Sequence, residues 1–313
     1  METPRKYALH SLLVIVFFLV VVAAGNISRH ATAEKARVCR ALRTELSENA
    51  FGALGDRIVA KAAYVYDFKH KVALFSKNER EPLPLASLAK IMTVRVALEH
   101  TSVRDSYRAT EADLETFGWS SFEAGDSYVV RDLVAAALIP SSNDAATMLA
   151  QASGMSLAQF ITTMNTEASV LRLPTLAYQS VTGLDAEGGQ ASAFGSARDT
   201  VELLYRSAED FPELFALSTK PAITIRSVSG ARAELKNTNL ASDKLPLLMA
   251  SKTGYTIAAG GNLAILWQEP GGAVLGASVL GSTENGRFSD MIVLHDAADR
   301  YISSLRAVPA YCI

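Results

Sequence analysis

The chain has 313 residues, 49% of them apolar and 20% charged, with 19 glycines and 10 prolines; this composition supports a sizeable core and excludes a disordered or collagen-like protein. Thirty basic against 32 acidic residues leave a net charge of −2, so no basic excess is present to neutralise phosphates and nucleic acid is not an expected partner. Five scattered histidines and two distant cysteines form no metal-ligand cluster by spacing, and no metal or organic cofactor is expected.

Arg5 and Lys6 precede an uninterrupted apolar run from Leu12 to Ala24, the charge and hydropathy pattern of an export segment. Cleavage after Ala24 or Ala33 is one reading. The other is a retained anchor: residues 8–25 as a helix span about 27 Å, against a bilayer core of about 30 Å. In both, the positive flank stays inside and the rest is exported, so residues 1–33 are expected to be a signal peptide or membrane anchor and residues 34–313 the functional domain. Export permits a bridge between Cys39 and Cys312; the alternative is two free thiols.

Past the leader, residues 34–49 carry an amphipathic helical pattern. Ala62–Asp67 and Val72–Phe75 read as two strands of a hairpin turning at 68–71. Pro82 and Pro84 hold the chain extended ahead of a helix opening near Ser87 and running towards His100. Further helices are predicted over 131–139, 144–152, 156–171, 197–208 and 287–305, and strands over 222–228, 262–268 and 273–281. No repeat and no Gly/Ser/Pro-rich linker divides the exported part. The expectation is one α/β domain, with an antiparallel sheet built from both ends of the chain and a central helical subdomain.

Three short motifs point to a serine nucleophile. In Ser87-Leu88-Ala89-Lys90, the serine and lysine sit three apart at the start of a helix, so the amine can reach the hydroxyl. It works as a base only when neutral, a state favoured by burial and nearby cations, and backbone N–H groups at a helix start suit an oxyanion. The structural alternative is Ser87 as a helix cap with Lys90 in solvent. Ser141-Ser142-Asn143 lies on a tight connector after Pro140, where its side chains can face a cleft or simply cap the next helix. In Lys252-Thr253-Gly254, lysine and threonine on a strand can hold a carboxylate, and the glycine lets a substrate backbone lie close; the alternative is a strand ending in a turn. Together and in order, Ser-x-x-Lys, Ser-x-Asn and Lys-Thr-Gly are the set shared by penicillin-binding proteins and class A β-lactamases.

From about Ala62 to Ser304 the chain resembles the serine D-alanyl-D-alanine carboxypeptidases, the low-molecular-mass penicillin-binding proteins. The likeness also includes Pro84-Leu85-Ala86, Met92-Thr93, Met164-Asn165, Gly183-Leu184-Asp185, Ser196-Ala197-Arg198-Asp199, Asn237-Thr238-Asn239, Tyr255-Thr256 and Ala259-Gly260. It implies a β-lactamase/transpeptidase-like fold, location in the bacterial periplasm or on the outer face of the cytoplasmic membrane, and peptidoglycan stem peptides as substrates. Ser87 would attack the carbonyl between the last two D-alanines, Lys90 would take its proton, and Ser141, helped by Lys252, would protonate the leaving D-alanine. Asn143 would position Lys90 and the peptide, and Lys252 and Thr253 would hold the terminal carboxylate. The N–H groups of Ser87 and Tyr255 would form the oxyanion hole, and water would free the enzyme. β-Lactams would acylate Ser87 as inhibitors.

Some positions depart from the family pattern: Ser142 stands where glycine is common and Ala89 where threonine is. With the last helix expected to end near Leu305, no room is left for the second, β-rich domain and C-terminal membrane helix of other members, so membrane contact would fall to an uncleaved N-terminal segment. Three alternatives remain. A class A β-lactamase needs a glutamate some three dozen residues after Ser-x-Asn, but Leu173 to Val181 contains no acidic residue, and Glu167 and Glu187 fall outside it. A D,D-endopeptidase or transpeptidase would use the same residues on another bond or acceptor. A non-catalytic penicillin or peptidoglycan sensor would keep the fold and lose turnover.

Overall fold

The computed structural model describes residues 29–30, 32–114, 122–305, 307–308 and 312. The export segment expected over Leu12–Ala24 lies outside them. Among the described residues, no helix is long and apolar enough to cross a membrane.

The chain divides into two compact units, one of residues 50–300 and one combining residues 1–49 with 301–313. The second unit holds most of helix α1 (32–51), including the predicted 34–49 segment. In it Cys39 and Cys312 form a disulfide with Cα atoms 5.1 Å apart, and Arg43 Nη1 donates to the Cys312 carbonyl at 2.9 Å.

The larger unit is built on a five-stranded antiparallel sheet from both ends of its sequence. β1 (Ala62–Asp67) and β2 (Val72–Lys77) form the predicted hairpin, and β10 (Leu248–Thr256), β11 (Gly260–Gln268) and β12 (Val274–Ser282) form a meander. The order is β10-β11-β12-β1-β2, with Ala62 opposite Leu280 closing the two halves. Both faces are buried, so the central strands are apolar almost throughout, and alternation sorts their side chains. Ala264 and Leu266 join a core shared with α2 (Lys90–His100) and α6 (Ala197–Asp210). On the opposite face, Trp267 lies 4.9 Å from the His295 ring of α8 (Gly286–Leu305).

Between the sheet halves lie α3 (Val130–Leu138), α4 (Asn143–Ala152) and α5 (Leu157–Val170), the predicted helical subdomain. Ser156 and Gln159 close a capping box on α5. Short pairings hold the connections: β3 (Leu83–Pro84) and β6 (Ala177–Tyr178) flank β7 (Ala193–Gly195), and β4 (Ser106–Arg108) pairs with β5 (Ser127–Val129). The strand expected over 222–228 is β8 (Ala222–Arg226), paired with β9 (Arg232–Lys236); the polar ends of β9 hide its two-residue period.

Candidate active site

Ser87 follows a clamped approach. β3 pairs with β7, the Leu85 N–H donates to Ala193 O, and Asn262 of β11, fully buried, donates from Nδ2 to Pro84 O at 2.9 Å. Ala86 then turns through the left-handed region at φ 49°, a strained conformation for a residue with a Cβ. Residues Ala86–Ala89 form a 3-10 turn, and the α-helix begins only at Lys90. The helix expected from Ser87 is therefore tighter at its first turn. That turn leaves Ser87 partly accessible while Leu88 and Ala89 go into the core.

Lys90 is completely buried, which removes the reading that put it in solvent. Its Nζ lies 2.9 Å from Ser87 Oγ, 2.7 Å from Asn143 Oδ1 and 2.7 Å from the Thr182 carbonyl. All three partners are neutral. Burial, with no carboxylate to oppose it, pulls the amine down to about 7. A neutral amine fits the same geometry: its two hydrogens serve Asn143 and Thr182, and its lone pair accepts from Ser87.

Ser141 follows α3 with φ 65°, a second left-handed residue with a side chain. Its neighbour Ser142 caps α4 by accepting from the Ala145 N–H. The capping reading of this motif holds for Ser142, while Ser141 accepts from the lysine of β10. Lys252 Nζ donates to Ser141 Oγ at 2.8 Å and to Thr253 O at 2.9 Å. Burial first, then the nearness of Lys90 and Arg287, hold the Lys252 amine well below its ordinary range. Thr253 Oγ1 lies 2.6 Å from Thr238 Oγ1, which also bonds the Ile139 carbonyl.

Gly254 has a different reason from the one expected. A Cβ there would come within 2.8 Å of Leu85 O and 3.2 Å of Ser87 N. The missing side chain thus lets β10 pack against the nucleophile turn itself, whereas the sequence reading assigned that space to substrate. Tyr255, next along the strand, is half exposed.

Sequence reasoning missed Arg287. Its Nη1 donates to Gly254 O at 2.7 Å, and its guanidinium lies over the rings of Tyr255 and Phe288. It starts α8, 33 residues beyond Gly254 and outside any motif, so only its proximity in space reveals it. Glu167, the acid weighed for a β-lactamase, lies on α5 and accepts from Arg95 Nε at 2.8 Å. The side chains meeting at Ser87 are hydroxyl, amine and amide groups. Among the described residues, the one grouping able to share a metal ion is His295, Asp296 and Asp299 on α8.

A serine hydroxyl touching a buried lysine, with a second serine, an asparagine and a second lysine facing it beside an antiparallel sheet, is the arrangement that the three motifs mark in the penicillin-binding class. The comparisons agree. Residues 49–283 match the family model of the D-alanyl-D-alanine carboxypeptidases, peptidase S11, and the chain belongs to that family. It is 30% identical over 204 residues to the D-alanyl-D-alanine carboxypeptidase DacF of Bacillus subtilis, covering 63% of this chain and 51% of that one. It is 30% identical over 212 residues to a D-alanyl-D-alanine endopeptidase of Pseudomonas aeruginosa, covering 66% of each. Among solved structures, penicillin-binding protein D2 of Listeria monocytogenes in its ampicillin-bound form superposes with a TM-score of 0.67 at 29% identity, over 77% of this chain and 97% of that one. The match spans about half the length of most of the carboxypeptidase relatives, 51% of DacF of Bacillus subtilis and 52% of DacD of Escherichia coli among them.

Proposed function

We propose that the protein is a serine D-Ala-D-Ala carboxypeptidase that removes the terminal D-alanine of peptidoglycan stem peptides and is acylated by β-lactams. The observation that carries this is the contact of Ser87 Oγ with a fully buried Lys90 whose partners are all neutral. Lys90 takes the Ser87 proton as Oγ attacks the carbonyl, and the oxyanion is received by the N–H groups of Ser87 and Tyr255. Ser141, bonded to Lys252, delivers a proton to the departing D-alanine nitrogen, which leaves an ester on Ser87. Asn143 keeps Lys90 in place and supports the peptide. Thr253 and the Lys252 amine hold the substrate carboxylate, and Gly254 keeps β10 against the reacting serine. Water then cleaves the ester by the reverse proton path. We place residues 34–313 outside the cytoplasmic membrane, with residues 1–33 as the export signal or anchor.

The test is D-alanine release from diacyl-Lys-D-Ala-D-Ala by the full chain and by Ser87→Ala. Release by the wild type alone is expected. The likeness to an endopeptidase at the same identity supports a second reading, cleavage of a cross-link by the same groups. A wild type that opens cross-linked muropeptides without releasing D-alanine from the tripeptide would replace the first reading with the second.

A further inference from the structure

Four consecutive residues with no assigned chemistry touch three parts of the site. The Thr182 carbonyl accepts from Lys90 at 2.7 Å. Gly183, at φ 76°, is pressed onto the nucleophile turn so closely that a Cβ would meet Ala86 O at 2.0 Å. The Asp185 carboxylate holds the tip of the β10–β11 hairpin, accepting from Thr256 Oγ1 at 2.8 Å and from the Ala258 N–H at 3.1 Å. The segment is anchored from behind as well. Thr93 of α2 donates to Val181 O at 2.7 Å, Gly183 N–H donates to Ser180 Oγ at 2.8 Å, and Ser192 Oγ donates to Leu184 O. Asn165 of α5 pairs with both backbone groups of Tyr178.

We propose that Thr182–Asp185 is a spacer that sets the distance between the Ser87–Lys90 pair and the strand end carrying Tyr255, with Asp185 as its positioning residue. The proposal rests on the serine-peptidase reading above. Tyr255 immediately precedes Thr256, so releasing Thr256 and Ala258 frees the N–H that faces the reacting carbonyl. A displacement of about 1 Å in such a group costs on the order of 100-fold in rate. Asp185 touches neither Ser87 nor Lys90, so its effect passes through the hairpin tip and through Thr182.

The test measures second-order acylation by a fluorescent penicillin across pH, with Tm and tripeptide turnover in parallel. Asp185→Ala loses both hairpin contacts, and acylation should slow by roughly 10- to 100-fold, with a shifted pH profile and a near wild-type Tm. Asp185→Asn keeps an acceptor for Thr256 and should lose only about 3-fold. Thr256→Val removes the same bond from the other side, and in the double variant with Asp185→Ala its loss should not add. Asp185→Ala acylated within about twofold of wild type with an unchanged pH profile, or losses that add in the double variant, would overturn the spacer. If Asp185→Ala does not fold, Asp185→Asn and Thr256→Val carry the same comparison. A wild type that is acylated but releases no D-alanine sinks the carboxypeptidase reading and leaves the spacer measurable. If the wild type is not acylated at all, amide exchange at Tyr255 and Ala258 and the NMR titration of Lys90 decide. Both must change in Asp185→Ala, and no change in either refutes the proposal.

Discussion

Helix α2 carries two buried basic side chains five residues apart, and they have opposite surroundings. Lys90 meets a hydroxyl, an amide oxygen and a carbonyl. Arg95 meets three carboxylates: Glu99 at 3.1 Å, Glu167 at 2.8 Å and Asp210 at 2.7 Å. Burial disfavours charge in both places. At Arg95 the carboxylates hold the charge and tie α2 to α5 and α6. At Lys90 nothing offsets the burial, and the amine falls to about 7. One helix therefore has a structural cation in its middle and an amine of lowered basicity at its start, and the presence or absence of carboxylates makes the difference.

The largest expected effect comes from removing the base. Lys90→Met should lower penicillin acylation by at least about 1,000-fold, as Ser87→Ala should, because the two act as a unit. Asn143→Asp gives Lys90 an Arg95-like neighbour. A carboxylate 2.7 Å from Nζ favours the ammonium, so the pH profile should move up by more than about one unit and acylation at pH 7 should fall by about 10- to 100-fold. In the wild type, the sign follows from the proton count. The reactive amine is neutral, so acylation should rise with pH through about 7 and fall about tenfold for each unit below it.

Arg95→Met probes the other half of the comparison. It strands Glu167, Glu99 and Asp210 together. Glu99 is already pushed up, by burial first and then by the charge of Glu167. Because these carboxylates are partly exposed, the loss should be about 1–3 kcal/mol of stability, read by urea unfolding. The pH profile of acylation should keep its wild-type inflection. The smallest effect on chemistry is expected from Cys39→Ser. Acylation should stay within about twofold of wild type, while Tm falls as the denatured chain regains the entropy the bridge removed.

The side chains that meet around Ser87 were legible because each sits in a short motif: Ser87 and Lys90 within one turn, Ser141 on a connector, and Lys252 to Tyr255 on one strand. The long helices were legible from their periodicity, two strands of the meander as the apolar runs 262–268 and 273–281, and β10 only through Lys252-Thr253-Gly254. Strands of two or three residues such as β3, β6 and β7 have too few positions to show a period. The sequence offered Cys39 and Cys312 without the geometry that pairs them. Arg287 and Thr238 reach the site from distant parts of the chain. Thr182 contributes a backbone carbonyl, which no residue type announces. Gly183-Leu184-Asp185 was visible as a family feature, but its contacts with Ala86, Thr256 and Ala258 exist only in the folded chain.

The most direct test of the central claim is the rate at which a labelled penicillin modifies the wild-type protein between pH 5 and pH 9, with the modified residue mapped by mass spectrometry. Label on Ser87 alone is expected, with a single rise in rate centred near 7. Label on another residue, or a rate on Ser87 that is flat across that range, would contradict a neutral Lys90 as the base.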